Sequence, residues 1–169
     1  MSPDSDKRLP SAYNRLLAQV RKLLHEAGEE ARPTLDWLIN EARERLGIVE
    51  ELGREEAEKV GNYLKRDLQD AADYLASPEA NELGAWLKMD LDLIEQEVLE
   101  MFASVADQTK LELLALQERA RMANEYHTGE ITGIGTLFCD NCGHSLHFSK
   151  TGHIPPCPHC SHTRFHRED

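Results

Sequence analysis

Cys139-Asp140-Asn141-Cys142 and Cys157-Pro158-His159-Cys160 are two Cys-x-x-Cys pairs with fourteen residues between them. Each spacing lets a tight turn set two thiolates along one edge of a tetrahedron. A hairpin between the turns brings the two edges around one Zn²⁺, with Zn–S distances of about 2.3 Å. The expected ligands are therefore Cys139, Cys142, Cys157 and Cys160, holding a single structural zinc. Catalytic zinc keeps a coordination position open for water, whereas four thiolates fill the tetrahedron and leave a net negative, weakly Lewis-acidic centre.

No enzyme is expected, and no catalytic residue is assigned. A nucleoside deaminase needs a His-x-Glu partner motif, which is missing, and a thioredoxin-type pair needs a surrounding βαβ pattern. The alternative for the cysteines is a zinc-based redox switch, in which oxidation of the thiolates ejects the metal. His144, His147, His153, His159, His162 and His166 crowd the last 42 residues, against only His25 and His127 before them. They offer a second site or a pH-sensitive surface, or else ordinary solvated positions. His159 sits inside the second knuckle, but the cysteines around it already complete a ligand set.

The segments that must position the knuckles read as short strands. Ile131 to Phe138, Leu146 to Phe148 and a run near Thr163-Arg164-Phe165 are strand-like, with a turn at Lys150-Thr151-Gly152. That is a zinc ribbon, too small to bury much core and in need of a metal staple. The ribbon carries Lys150, Arg164 and Arg167, with Phe148 and Phe165 as possible stacking groups. Gly143 to Pro156 contains no acid, so it lacks the acidic pair with which some transcription-factor ribbons hold a metal in RNA polymerase.

Residues 1–127 read as helices. The first runs from an N-cap at Ser11 to about Ala27, with Gly28 as its stop and Leu16, Leu17, Val20, Leu23 and Leu24 as its stripe. The second begins near Pro33, carries Leu35, Leu38, Ile39, Ala42 and Leu46, and ends at Gly47. The third begins near Arg54 and shows Val60, Leu64, Leu68, Ala71 and Leu75. Ser77-Pro78-Glu79 reads as a restart. Leu83, Leu87, Leu91, Ile94, Val98, Met101, Phe102 and Val105 then form one long seam, about 42 Å if the helix is continuous from Pro78 to Val105. Asp107-Gln108-Thr109 either caps a further helix through Leu111, Leu114 and Met122 or lies within one helix. Trp37 and Trp86 are both expected in the core.

Amphipathic stripes with short connections predict an antiparallel helical bundle or long helical hairpins, with a coiled-coil homodimer through the helices as an option. The acids of this part do not form a di-metal site, because neither His25 nor His127 has a Glu three residues before it. The fold class is thus helices over 1–127 followed by a small β zinc-ribbon domain over 128–169.

Charge divides along the same line. Of 31 acids and 19 bases in the chain, four acids and three bases lie in residues 128–169, which leaves −11 of the net −12 on the helical part. That excess would repel a phosphate backbone, so direct nucleic-acid binding is not favoured. It serves solvation, or it faces a basic protein partner. No apolar run approaches the roughly 18–20 residues of a membrane span. The start of the sequence lacks the basic and apolar regions of a secretory signal, so the expected location is the cytoplasm, where thiols stay reduced.

Tyr126-His127-Thr128-Gly129-Glu130, Gly133-Ile134-Gly135-Thr136-Leu137-Phe138-Cys139, both knuckles and Phe165 together resemble the YbeL-like zinc-ribbon-containing proteins of proteobacteria. The resemblance is closest over residues 126–166 and looser over the helices, including Asp107-Gln108-Thr109-Lys110-Leu111-Glu112. One departure is Ser161, where a glycine commonly follows the second knuckle. The resemblance implies a cytoplasmic bacterial protein with a C-terminal zinc ribbon and supplies no catalytic residues. Two functions fit these observations. The first is a non-enzymatic adaptor that binds a protein partner. The second is a regulator of transcription or translation machinery, contacting RNA polymerase, ribosome or nucleic acid through the ribbon or through a helical tip near Gly47–Gly53 with Glu50 and Glu51.

Overall fold

A computed structural model describes residues 3–31, 33–76, 83–116 and 125–167. Helix α1 spans Pro3–Ala31, α2 Leu35–Leu46, α3 Ile48–Leu52, α4 Arg54–Leu75, α5 Leu83–Leu87 and α6 Gln96–Leu116. Strands follow at Tyr126–His127 (β1), Ile131–Thr132 (β2), Gly135–Cys139 (β3), Ser145–Phe148 (β4), Gly152–His153 (β5) and Arg164–His166 (β6). The fold class is as expected: helices first, then a small antiparallel sheet carrying the four cysteines. Among the described residues no helix is long and apolar enough to cross a membrane.

The helices bury the stripes that the sequence announces. Leu16, Leu17, Val20 and Leu23 of α1 meet Leu35, Leu38, Ile39 and Ala42 of α2, with Val60, Leu64, Leu68 and Ala71 of α4 and Phe102 and Val105 of α6 in the same core. Helix α4 is the hub, packing on α1, α2, α3 and α6. Thr34 caps α2 by accepting from the Trp37 N–H at 3.2 Å, and Gly47 ends it in a left-handed conformation.

Three local expectations change. Helix α1 begins at Pro3 and not at Ser11: Pro10 lies inside it as the eighth residue, past the first turn, where it gives up one intrahelical N–H bond. Gly28 does interrupt this helix, at φ 72° and ψ 174°. The apolar seam from residue 83 to 105 is not one helix. Lys88 takes a left-handed φ of 50°, Asp90 caps a 3₁₀ turn over Leu91–Leu93 by accepting from the Asp92 N–H at 3.0 Å, and α6 starts afresh at Gln96. Leu91 is consequently exposed, whereas Ile94 is buried. Trp86 is core as expected, 4% exposed, but Trp37 is 48% exposed. It lies two residues past Leu35, about 200° round the helix and off the buried stripe.

Asp107-Gln108-Thr109 falls within α6, where buried Thr109 donates its hydroxyl to the Val105 carbonyl at 2.9 Å. The Ser77-Pro78-Glu79 restart and Met122 lie outside the described residues.

The sheet runs β1-β6-β3-β4, all antiparallel, and β2 pairs separately with β5. Its own core is small: Tyr126, Leu137, Cys139, Ile154, Cys157 and Phe165. Ile131 and Ile134 belong instead to the helical core, so the first strands of the ribbon are packed on the helices.

Candidate metal centre

Both knuckles are built by the same backbone device. In the first, the Gly143 N–H donates to the Cys139 carbonyl at 3.0 Å and the Cys139 N–H to the His144 carbonyl at 2.9 Å. In the second, the Ser161 N–H donates to the Cys157 carbonyl at 2.8 Å and the Cys157 N–H to the His162 carbonyl at 2.9 Å. Each turn closes through a left-handed residue, Gly143 at φ 77° and Ser161 at φ 64°. This is the physical content of the Ser161 departure. The geometry favours glycine there because a Cβ in that conformation crowds the following carbonyl.

Register brings the knuckles together. Cys139 ends β3 directly opposite Phe165 of β6, and the Asp140 N–H donates to the Arg164 carbonyl at 3.1 Å. The second knuckle lies just before β6 in the chain, so pairing β3 with β6 closes the set. The four sulfurs lie within 4.8 Å of one another. Cys139 Sγ is 3.5 Å from Cys160 Sγ, and Cys142 Sγ is 3.6 Å from Cys157 Sγ. A ZnS₄ tetrahedron with bonds of about 2.3 Å has edges of about 3.8 Å, whereas a disulfide would need about 2.05 Å. The donor set fits zinc. Cys139 and Cys157 are buried, Cys160 is half-buried and Cys142 is exposed.

The surroundings favour thiolates unevenly. Asn141's side chain, the His162 backbone N–H and neighbouring thiols draw Cys160 down to about 6 against desolvation. At Cys142 the His144 backbone N–H pulls the same way, but desolvation and hydrogen bonds with the other three cysteines carry the thiol up to about 12. Four thiolates this close together call for a cation. Zinc bound there would supply that charge and cross-link the two turns.

All four cysteines singled out by spacing come together. Among the described residues no second group of three or more His, Cys, Asp or Glu gathers at ligand distance. His159 stacks on His144, ring centres 5.9 Å apart, and His166 Nδ1 lies 2.6 Å from Asp140 Oδ1. Arg167 departs from the sequence reading. Grouped with Lys150 and Arg164 among the bases the ribbon offers, it is buried, its side chain 4% exposed, against Asp67 and Tyr126. Asn141, a donor beside the sulfurs, and Asp67, fully buried on α4, were not singled out. Asp67 carries a readable signal: it falls at stripe spacing, three residues after Leu64 and four before Ala71.

Comparison with known proteins agrees with this geometry. The family model described as "Zinc-ribbon containing domain" matches residues 22–169, and the chain belongs to that family. It is 27% identical over 156 residues to "Uncharacterized protein YbeL" of Escherichia coli strain K12, covering 92% of each chain. The same name and the same figures apply to the protein of Escherichia coli O157:H7. No solved structure matches.

Proposed function

Proceeding from membership of the zinc-ribbon-containing family, we propose that the protein is a non-enzymatic cytoplasmic adaptor whose ribbon is held by one structural zinc on Cys139, Cys142, Cys157 and Cys160. The observation that carries this reading is the closed donor set: four sulfurs at tetrahedral spacing leave no position for substrate or water. The zinc acts as a cross-link, and the residues around it orient thiolates and perform no chemistry on a ligand. An excess of eleven negative charges on the helical part supports a basic protein partner.

The second reading, a regulator of transcription or translation machinery, has less behind it. Glu51 of the supposed tip is paired with Arg15 at 2.7 Å and α3 buries Ile48 and Leu52, so the turn is packed on the body. Arg167 is engaged within the protein.

The test is crosslinked capture with zinc-loaded protein from a nuclease-treated extract, repeated at rising salt. The adaptor reading expects one dominant basic protein, lost as salt screens the contact. RNA polymerase or ribosomal proteins surviving nuclease would replace it with the second reading.

A further inference from the structure

Arg167 follows β6 by one residue and inserts its guanidinium between the ribbon and the helices. Nη2 donates to Thr132 Oγ1 at 2.9 Å and lies 3.6 Å from Asp67 Oδ1, Nη1 donates to the Ile134 carbonyl at 3.3 Å, and Nε donates to the Tyr126 hydroxyl at 3.0 Å. The group also lies over the Trp86 ring, 4.5 Å from its centre. Asp67 is fully buried and gathers donors from both parts. Tyr13 Oη donates to it at 2.5 Å, the Gly133 N–H at 2.8 Å, and Arg66 Nε lies 3.4 Å away. The backbone is shaped for this seam. A Cβ at Gly133 would overlap the Tyr13 hydroxyl, and one at Gly135, where φ is 126°, would overlap Arg167 Nη1.

What holds Arg167 in place is a strand of three residues, too short to be stable by itself. On one side it pairs with β1, Tyr126 opposite Phe165 and His127 opposite Arg164; on the other its anchors are metal-site residues. Phe165 pairs with Cys139, the Arg164 carbonyl accepts from Asp140 inside the first knuckle, and Cys160 ends the second knuckle four residues upstream. The other support is a core of six residues, two of them ligands.

We infer that Arg167 is a latch by which zinc occupancy controls the helical body: filling the knuckles seats its guanidinium on Asp67, Tyr126 and Trp86, and emptying them withdraws it. The inference rests on the structural-zinc reading above. Withdrawal removes one cation from the buried Asp67 carboxylate and the cation from the Trp86 face. Both belong to the helical part, so the loosening reaches α1 and α4 through Tyr13 and Asp67. A metal-responsive change in the helices is the consequence, with no second metal and no redox step required.

Hydrogen–deuterium exchange on the full chain, zinc-loaded and chelator-stripped, with zinc stoichiometry measured on each sample, tests this. Stripping is expected to speed exchange of amides in residues 12–20 and 60–72 by about tenfold or more in the natural sequence. In Arg167→Met, still holding one zinc, stripping should change the same amides by less than about twofold. Asp67→Asn keeps the acceptor, removes the charge that calls for Arg167 and should show the same reduced response if the Met variant does not fold. Unchanged exchange in stripped natural protein overturns the latch and leaves two independent parts. An equal increase in the variants also overturns it, moving the coupling to the packing of Ile131 and Ile134. Failure of the natural protein to hold zinc would overturn the zinc reading itself.

Discussion

The knuckles and the seam under Arg167 both crowd ionisable side chains, yet only the seam is complete as the chain folds. In the seam every charge meets an opposite charge or a fixed donor: Asp67 against Arg66, Arg167 and Tyr13, and Arg66 against Glu130 at 3.0 Å. Arg66 and Arg167 both lie against the Tyr126 ring, 4.0 Å and 5.2 Å from its centre. Burial pulls both guanidinium pKa values down, but Asp67 and Tyr126 outweigh it and both are raised. In the knuckles four cysteine sulfurs lie within 4.8 Å of one another, and the Asn141 side chain and the His162 backbone N–H draw Cys160 toward its thiolate. A charge cluster that side chains can neutralise becomes part of the core. One that they cannot becomes a metal site.

Breaking the knuckles should have the largest effect. Cys139→Ser with Cys142→Ser removes half the donor set, and structural zinc contributes about 10–16 kcal/mol of apparent binding energy that is largely folding energy here. Loss of bound zinc and of the ribbon's β signal in circular dichroism is the expected outcome. Next comes the seam. Asp67→Ala takes the buried carboxylate from Arg167 and leaves Arg66 with Glu130 alone, and should cost about 3–5 kcal/mol by chemical denaturation.

The two regions should also respond to opposite ends of the pH scale. Tyr13 and Tyr126 are raised above 10.0, first by burial and, for Tyr13, next by the Asp67 carboxylate. A raised folded-state value means that the stability is fully present below pH 10 and is lost as pH climbs toward the folded value. Each tyrosine then contributes a slope of up to about 1.4 kcal/mol per pH unit. Denaturation followed from pH 9 to 11 should show this slope, and Tyr13→Phe should reduce it. Zinc, by contrast, should leave on acidification, because its ligands must be deprotonated.

Smaller changes sharpen the comparison between the two knuckles. Ser161→Gly should stabilise the zinc-loaded ribbon by about 1 kcal/mol, because it relieves a left-handed residue that Gly143 already relieves in the first turn. Trp37→Ser should change stability by less than about 0.5 kcal/mol, as expected of an exposed side chain.

Those residues also mark what the sequence made readable. The knuckles were legible because their ligand spacing is local and needs only a turn. The bundle was legible because stripes such as Val60, Leu64, Leu68 and Ala71 repeat within one helix. The start of α1 was missed because Ser11 has the chemistry of a cap although Pro10, just before it, is tolerated inside the helix. The break at Lys88 was missed because Leu91 and Ile94 keep helical spacing across it. Arg167 was missed for a different reason. Its partners lie 41 and 100 positions away at Tyr126 and Asp67, and nothing local separates a buried arginine from a solvated one.

The most direct test of the whole account is zinc X-ray absorption on the protein loaded with one equivalent of metal. The four-cysteine site predicts four sulfur scatterers at about 2.3 Å and no nitrogen. A nitrogen shell at about 2.0–2.1 Å would place one of the six ribbon histidines on the metal and contradict the closed structural centre on which the rest depends.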